Sequence, residues 1–264
     1  MWSANQAETH DYEISDVKYV AHEVNLDDSF VNQMKASMQA TGGVLSLSST
    51  TYKYNAINGI TDLTLAGTTS DTLNISCRVK SLKGMLVRPQ AACFNNDHAR
   101  YCIGTGHSVG ITSAQFRIGS VLYPQSAIQF SETNKGELFN EIRKCFGTIG
   151  SYAHGTSLNS STVKFMDKND SVVANAGSGS IRQSWLLAYD FETFAKSATE
   201  SGINVADRAL PVSLEINRSA MTTGDTVLAA AGGAENNQKI RYDCFAMCDC
   251  IIYIDLMGKI TTRI

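Results

Sequence analysis

The feature that most constrains this chain is an alternation of side-chain type in residues 240–256. Apolar or small side chains hold every even position, namely Ile240, Tyr242, Cys244, Ala246, Cys248, Cys250, Ile252, Ile254 and Leu256. Arg241, Asp243, Asp249 and Asp255 lie at odd positions. Successive side chains of a strand point to opposite faces, whereas a helix would spread these charges around its circumference. The segment is therefore predicted to be a long strand with one face in a core and a partly charged opposite face.

Similar patterns along the rest of the chain predict about eight strands. In residues 72–79, Leu73, Ile75, Cys77 and Val79 share one face. The other predicted strands are residues 17–24, 44–47, 51–57, 82–87, 113–118, 162–165, 181–191 and 211–216. Gly, Ser, Thr and Asn dominate the segments between them, as turns and loops require. This organisation is typical of an all-β sandwich, which often forms a single domain of this size. We expect that domain to span residues 17–264, after an arm of residues 1–16.

Two segments have helical periodicity instead. In residues 26–40, apolar side chains recur at helical spacing, with Asp27 or Asp28 suited to cap the start and two glycines to end it. Residues 137–146 place Leu138, Ile142, Cys145 and Phe146 on one stripe. Both are predicted to be short amphipathic helices in long connections between strands.

Composition and charge argue against several classes of protein. The 264 residues include 22 Lys or Arg and 25 Asp or Glu, a formal net charge of −3, and no basic stripe or tail, so strong direct nucleic-acid binding is not expected. No apolar run approaches the roughly 20 residues that span a bilayer. Seven cysteines without scaffold spacing indicate folding in a reducing compartment, such as cytosol or nucleus.

One set of residues has the chemistry of a metal site. Cys93, His98, Cys102 and His107 are ligand types that zinc prefers, and four of them fit tetrahedral coordination. Their spacing matches no finger or knuckle, because a tight pair of cysteines is absent. The favoured interpretation is a loop with partly buried thiols and exposed imidazoles, so no metal or cofactor is expected.

Other patterns that could carry chemistry have simpler explanations. Cys244, Cys248 and Cys250 share the apolar face of the predicted long strand and behave as small buried hydrophobic residues. The glycines of residues 104–110 fit neither a dinucleotide nor a phosphate loop, and no nucleophile elbow occurs. Asp190 and Glu192 have no partner that suggests acid–base work. The sequence therefore predicts no catalytic residues and no enzyme.

Five stretches, in order, resemble the C-terminal jelly roll of the double-jelly-roll major capsid proteins of polinton-type viruses, virophages and related DNA viruses. The matching stretches are residues 17–55, residues 75–90 with Arg78, Ser81, Leu82 and Lys83 at defining positions, residues 137–147, residues 186–194 followed by residues 201–217 with a Ser-Gly-Ile-Asn turn at 201–204, and residues 241–264 with Met257-Gly258 at a turn. Members of this family carry a first jelly roll ahead of the matching part. The chain thus corresponds either to part of a longer or split protein or to a shell protein with one roll.

The resemblance implies an antiparallel jelly-roll β-sandwich that self-assembles into capsomers of an icosahedral shell. Its partners would be copies of itself, in a trimer on the family pattern, and other capsid proteins in the virion. We expect contacts between subunits on residues 95–110, residues 219–237 and the N-terminal arm, which are long or uncharged. The alternative is a jelly-roll vertex protein or a module that binds a receptor or carbohydrate.

Overall fold

The computed structural model describes residues 13, 15–22, 25–40, 42–58, 70–91, 110–129, 131, 134–146, 185–192, 201–207, 210–219, 240–255, 257 and 259–264. Nine strands and two helices lie within these ranges. The helices are α1 (Asp28–Ala40) and α2 (Gly136–Cys145). The strands are β1 (Val44–Asn58), β2 (Ser70–Ile75), β3 (Leu82–Ala91), β4 (Ile111–Ile118), β5 (Val121–Gln129), β6 (Leu187–Asp190), β7 (Val212–Arg218), β8 (Ile240–Asp255) and β9 (Ile260–Arg263).

The chain divides into two compact units. The sandwich unit comprises Thr50–Asp249 with Ile264, and the terminal unit comprises Met1–Ser49 and Cys250–Arg263. Strands β1 and β8 contribute residues to both units. The expectation of one domain over residues 17–264 stays a prediction.

The sandwich unit is built from two antiparallel sheets. One has the strand order β1-β8-β3-β6, and the other has the order β2-β7-β4-β5. The neighbouring pairs are therefore nested: β1 with β8, β2 with β7, β3 with β6, and β4 with β5. A chain that folds a set of nested strand pairs into two facing sheets forms a jelly roll. The predicted fold class, an antiparallel all-β jelly-roll sandwich with one or two short helices between strands, is confirmed: α2 lies between β5 and β6, whereas α1 precedes the first described strand.

The core lies between the two sheets and follows from the alternation in the sequence. Side chains of β8 at even positions from Ile240 to Cys248 are at most 2% exposed. The opposite sheet contributes the buried residues Leu73, Ile75, Ala114, Phe116, Ile118, Val212, Leu214 and Ile216. Each fully buried large apolar side chain stabilises the fold by roughly 1.5–3 kcal/mol. One continuous cluster of this kind holds the two sheets together.

Helix α2 lies in the connection between β5 and β6 and packs against both of these strands and β3. Its apolar stripe is buried, with Leu138 and Ile142 at 0% exposure. A Cβ atom at Gly84 of β3 would lie 3.2 Å from the Tyr189 carbonyl oxygen and 3.4 Å from Cys145 Sγ. Glycine at this position therefore allows the end of the helix to approach the sheet closely.

Several predicted strands differ from the observed ones. The two short strands predicted at residues 44–47 and 51–57 are one continuous strand, β1, because backbone hydrogen bonds continue through the polar residues between them. Strand β5 was not predicted, since it contains Pro124 and only one of its residues is buried. The strand predicted at residues 181–191 is limited to β6 within the described residues, and residues 162–165 lie outside them.

The strand predicted at residues 17–24 is wrong for its described part. Residues 15–22 contain neither strand nor helix, and Val17, Tyr19 and Val20 are 80%, 93% and 85% exposed. These side chains favour strands because they fit a pleated surface packed on neighbours. Without such neighbours the preference is too weak to form a strand.

The terminal unit contains α1 and a hairpin of β8 with β9. Residue pairs run from Ile251 opposite Arg263 to Ile254 opposite Ile260. Asp255 Oδ1 accepts hydrogen bonds from the backbone of Met257 and Lys259, which fixes the turn. The closing hairpin implied by the resemblance is confirmed. Neither of the two described helices is long and apolar enough to cross a membrane.

Candidate functional site

The Lys83 cluster consists of Ser81, Lys83, Glu192, Ser201 and Asp249, all within the sandwich unit. Lys83 Nζ lies 2.9 Å from Asp249 Oδ1 and 3.4 Å from Glu192 Oε1. Ser81 Oγ donates a 2.7 Å hydrogen bond to Asp249 Oδ2, and Ser201 Oγ donates one to Glu192. The side chains of Lys83, Glu192 and Asp249 are only 13%, 13% and 4% exposed. This is a nearly water-free network of charged groups.

The register of β3 against β8 explains why these residues meet. Leu82 pairs with Cys248, and both side chains lie in the core. Asp249, the neighbour of Cys248, points to the opposite face of the sheet, and a register shift between Leu82 and Gly84 lies at Lys83, whose side chain meets Asp249 there. Asp249 also donates its backbone N–H to the Ser81 carbonyl oxygen at 3.2 Å. The alternation that buries the cysteine thus brings the aspartate to the lysine.

The segment 201–207 packs directly on the end of β3. Leu82 and Ile203 exchange two backbone hydrogen bonds of 2.8 and 2.9 Å. Val205 N–H donates to the Val79 carbonyl oxygen at 2.9 Å. Gly202 is required here, because a Cβ atom at this position would lie 2.4 Å from the Leu82 carbonyl oxygen.

Side-chain contacts reinforce this joint. The Gly202 N–H donates to Ser81 Oγ at 3.1 Å, and Arg78 Nη1 donates to the Asp207 carbonyl oxygen at 2.7 Å. Arg78, Ser81 and Lys83 belong to one stretch of family resemblance, and residues 201–204 belong to another. The fold brings two motifs that are more than a hundred residues apart into direct contact.

The electrostatics of the Lys83 cluster suit a structural role. Burial by itself would lower the pKa of Lys83, but the hydrogen bond and charge of Asp249, together with Glu192, outweigh it and raise the pKa above its ordinary value. The amine therefore stays protonated and cannot act as a base or nucleophile. The Ser81 hydroxyl donates to Asp249, whose other oxygen is paired with the Lys83 ammonium group. The arrangement can fasten segments together.

The Asp243 cluster is a second network, formed by Tyr54, Arg88, Arg241 and Asp243. Asp243 Oδ1 accepts from Tyr54 Oη at 2.8 Å and from Arg241 Nε at 2.9 Å, and Oδ2 accepts from Arg88 Nη2 at 2.6 Å. Arg241 Nη2 also donates to Tyr54 Oη at 2.5 Å. Burial would raise the pKa of Asp243, but hydrogen bonds from Arg88 and Tyr54 and the charges of both arginines hold it below its ordinary value.

The residues considered as a metal site, Cys93, His98, Cys102 and His107, lie outside the described residues, as does the glycine-rich run apart from Gly110. Within the described part of the chain, no group of three or more His, Cys, Asp or Glu residues is arranged to hold a metal ion.

The cysteines of β8 are core residues, as predicted. Cys244, Cys248 and Cys250 are 0%, 0% and 9% exposed. Burial raises the pKa of the Cys244 thiol to about 12. A thiol of this kind is inert as a nucleophile at neutral pH.

The two acidic pairs noted in the sequence, Asp190 with Glu192 and Asp27 with Asp28, have different structural roles. Glu192 joins the Lys83 cluster, and Asp190 Oδ1 accepts the Glu192 backbone N–H at 3.0 Å. Burial raises the pKa of Asp190. Asp27 caps α1, where its carbonyl oxygen accepts the Val31 N–H at 3.0 Å and its carboxylate accepts from Ser29.

Sequence reasoning missed the burial of Asp243 and Asp249, which are 2% and 5% exposed. The alternation predicts a partly charged face opposite the core for both, and not that this face is covered there. Their position on the strand was the only available signal, and it does not say which cations stand opposite.

The strand order defines the class of this protein as an eight-stranded jelly roll with an extra hairpin strand. No protein-family profile and no curated protein sequence matches the chain.

Among solved structures, it is similar to PBCV-1 VP54 fitted into a reconstruction of the virophage Sputnik (TM-score 0.46, 11% identity, 90% of this chain and 55% of that one). It is also similar to the PBCV-1 capsid in a quasi-atomic model (TM-score 0.43, 9% identity, 87% of this chain and 54% of that one). A third similar structure is the mavirus major capsid protein (TM-score 0.34, 9% identity, 84% of this chain and 42% of that one). The chain spans about half the length of these proteins.

Proposed function

We propose that this chain is a structural protein of a viral capsid, which self-assembles into capsomers of an icosahedral shell in the virion. The observation that carries the proposal is the contact between residues 78–83 and residues 201–207. These are two of the stretches through which the sequence resembles double-jelly-roll capsid proteins. Their direct hydrogen bonding gives the resemblance a common physical basis, a joint between the start of β3 and the segment 201–207.

The mechanism is geometric. A closed shell reuses the same surface patches in many copies, so each copy must hold the same shape. The continuous core and the Lys83 cluster supply that rigidity, because a fully bonded buried network fixes one arrangement of its segments. Many interfaces of modest area then add up to a stable particle.

The partners are copies of the chain, in a trimer on the family pattern, and other capsid proteins. A formal net charge of −3 allows copies to pack closely, since strong like charge would oppose it. The same value does not favour strong direct binding of nucleic acid.

We place contacts between subunits on residues 95–110 and 219–237. Their described ends, Gly110 and Ser219, are joined by a 2.8 Å backbone hydrogen bond, so both segments leave the sandwich at one place. Deletion of residues 222–236 should lower the oligomer mass measured by light scattering. An unchanged mass would exclude this segment as a contact.

Light scattering and electron microscopy of the purified chain test the assembly role. The expected result is a defined oligomer, with trimers of hexagonal outline on the family pattern or pentamers for a vertex protein. A chain that stays monomeric at the concentrations used for microscopy would overturn the proposal.

Elemental analysis tests the expectation that the protein holds no metal. We expect no stoichiometric metal. Zinc at one ion per chain would overturn that expectation and direct attention to Cys93, His98, Cys102 and His107.

A further inference from the structure

Asp190, the last residue of β6, has a partly buried carboxylate. Its Oδ1 atom accepts the Glu192 N–H at 3.0 Å. Within the part of the chain that the structure describes, no ammonium or guanidinium group forms an ion pair with this carboxylate. Burial of a carboxylate without a paired cation favours its neutral form. The fold therefore opposes the charge of Asp190 at neutral pH.

The ammonium groups near Asp190 bind other carboxylates. Lys144 of α2 pairs with Glu141 of the same helix, whose side chain is only 10% exposed. Lys83 of β3 lies between Glu192 and a carboxylate of β8. Each of these two ammonium groups is therefore already held by a carboxylate other than Asp190.

The contact of α2 with β6 is surrounded by titratable and charged side chains from five elements and from the residue two positions after β6. They are Glu141, Arg143, Lys144 and Cys145 of α2, Tyr189 and Asp190 of β6, Tyr123 of β5, Lys83 of β3, Asp249 of β8, and Glu192. Arg143 lies over the Phe139 ring, with its Cζ atom 5.9 Å from the ring centre. The charges of Glu141 and Glu192 act on Asp190, and the charge of Lys144 acts in the opposite direction.

The end of α2 approaches Asp190 closely. Asp190 pairs with Gly84 across β6 and β3, and a Cβ atom at Gly84 would lie 3.4 Å from Cys145 Sγ. Cys145 is the last residue of α2. The C-terminal end of a helix carries a partial negative charge, which repels a nearby carboxylate. Ionised Asp190 therefore weakens the contact between α2 and β6.

We propose that Asp190 makes the contact between α2 and β6 sensitive to protons, so that mildly acidic solution holds α2 more firmly. A proton taken up from solvent by this carboxylate removes its repulsion by Glu141, by Glu192 and by the end of the helix. This conformational device concerns the folded chain alone, so it goes beyond the proposed assembly role and does not depend on it.

The direction of the pKa shift agrees with this geometry. Burial raises the pKa of Asp190, and the charges of Glu192 and Glu141 raise it further, whereas the Glu192 N–H and Lys144 lower it. A carboxylate whose pKa is raised on folding makes the folded state less stable when it is ionised. This cost disappears as pH falls through the folded pKa towards the unfolded value of about 3.9.

Hydrogen exchange of the full chain, compared with that of D190N, tests the device. Exchange of the α2 peptide is followed by mass spectrometry at about pH 7 and about pH 4.5 and is corrected for the intrinsic rate at each pH. D190N is neutral at position 190 under both conditions, so it serves as the reference for the other carboxylates that titrate. The ratio of protection in wild type to protection in D190N should rise by about threefold or more on acidification.

Control variants keep the test specific to Asp190. E137Q removes an exposed carboxylate from the first turn of α2, and the ratio of wild-type to E137Q protection should stay constant within about twofold. If D190N does not fold, as judged by circular dichroism, D190S replaces it, because a serine hydroxyl can still accept the Glu192 N–H.

Two outcomes would overturn the proposal. One is a ratio that stays constant or falls on acidification when folded D190N or D190S is the reference. The other is an E137Q ratio that rises as much as the D190N ratio, because the response would then not belong to Asp190.

Discussion

Two aspartates on β8 lie six residues apart, point away from the core and are both nearly inaccessible to water, yet they sit in opposite electrostatic settings. Asp249 meets one ammonium group, Lys83, which it shares with a second carboxylate, Glu192. Asp243 meets two guanidinium groups and a tyrosine hydroxyl. The first network places one ammonium group between two carboxylates, and the second places one carboxylate between two guanidinium groups.

The difference shows how one strand pattern serves two purposes. The Lys83 cluster joins β3, β8, the end of β6 and the segment 201–207, with every charged side chain at most 13% exposed. It is closed to partners and fastens the fold. The Asp243 cluster leaves the Tyr54 ring half exposed and two arginines about a quarter to a third exposed. It is open to solvent on one side.

The largest expected loss of stability comes from Gly202→Ala, which disrupts the contact between segment 201–207 and the start of β3 beside the Lys83 cluster. The added methyl would meet Leu82 backbone atoms at 2.4–2.8 Å, so the joint must open. Urea unfolding should show that the free energy of unfolding falls by about 3 kcal/mol or more. Gly136→Ala is the matched control, because nothing lies within 4 Å of its Cβ position and its stability should change by less than about 0.5 kcal/mol.

Lys83→Met should lower the free energy of unfolding by nearly as much, because it removes the cation that pairs with the buried carboxylates of Asp249 and Glu192. Breaking a buried pair by removing one partner costs about 3–5 kcal/mol. The same change at Arg117, whose pair with Glu215 is partly exposed, should cost at most about 1 kcal/mol of the free energy of unfolding. Equal losses of unfolding free energy in the two variants would show that the Lys83 cluster does not stabilise the fold more than the Arg117–Glu215 pair.

Asp243→Asn should have a smaller and pH-dependent effect, on the order of 1–2 kcal/mol at neutral pH. The pKa of Asp243 is lowered in the folded state, so its stabilising contribution is complete above the unfolded pKa of about 3.9 and is lost as pH falls through the folded value. The free energies of unfolding of wild type and variant should therefore differ by a constant amount above about pH 5, and the difference should shrink in more acidic solution. A difference that grows on acidification would contradict this.

Lys83 should show the opposite pH dependence. Its pKa is raised in the folded state, so its contribution is complete below the unfolded pKa of about 10.4 and declines only as pH rises through the folded value. The free energies of unfolding of wild type and Lys83→Met, measured at alkaline pH, should become equal only above about pH 10. Convergence near neutrality would show that the ammonium is not held by these carboxylates.

Tyr54→Phe gives the smallest effect, about 0.5–1.5 kcal/mol, because it removes the hydroxyl that bonds Asp243 and Arg241 in a half-exposed position. Tyr52→Phe is the control, since the Tyr52 hydroxyl has no hydrogen bond to another described residue. The two variants should differ in thermal midpoint, and identical midpoints would count against the Asp243 network.

The sequence by itself determined the all-β class, the two helices and the core face of β8. These follow from local periodicity, because a side chain two positions along a strand returns to the same face. It also located the stretch 78–83 and the turn 201–204 through their resemblance to capsid proteins. It could not find β5, whose proline and exposed positions weaken the alternation.

Only the tertiary structure decided which charges meet. The odd positions of β8 were expected to be charged, but their burial depends on the register with β3, which places Asp243 beside Arg88 and Asp249 beside Ser81 and Lys83. The segment 201–207 reaches Leu82 from far along the chain. Periodicity is a property of neighbours in sequence, whereas an ion pair is a property of neighbours in space. For this reason the alternation predicts the faces of the strand, and the fold alone places one of its aspartates in the buried Lys83 cluster and the other beside two arginines and a tyrosine.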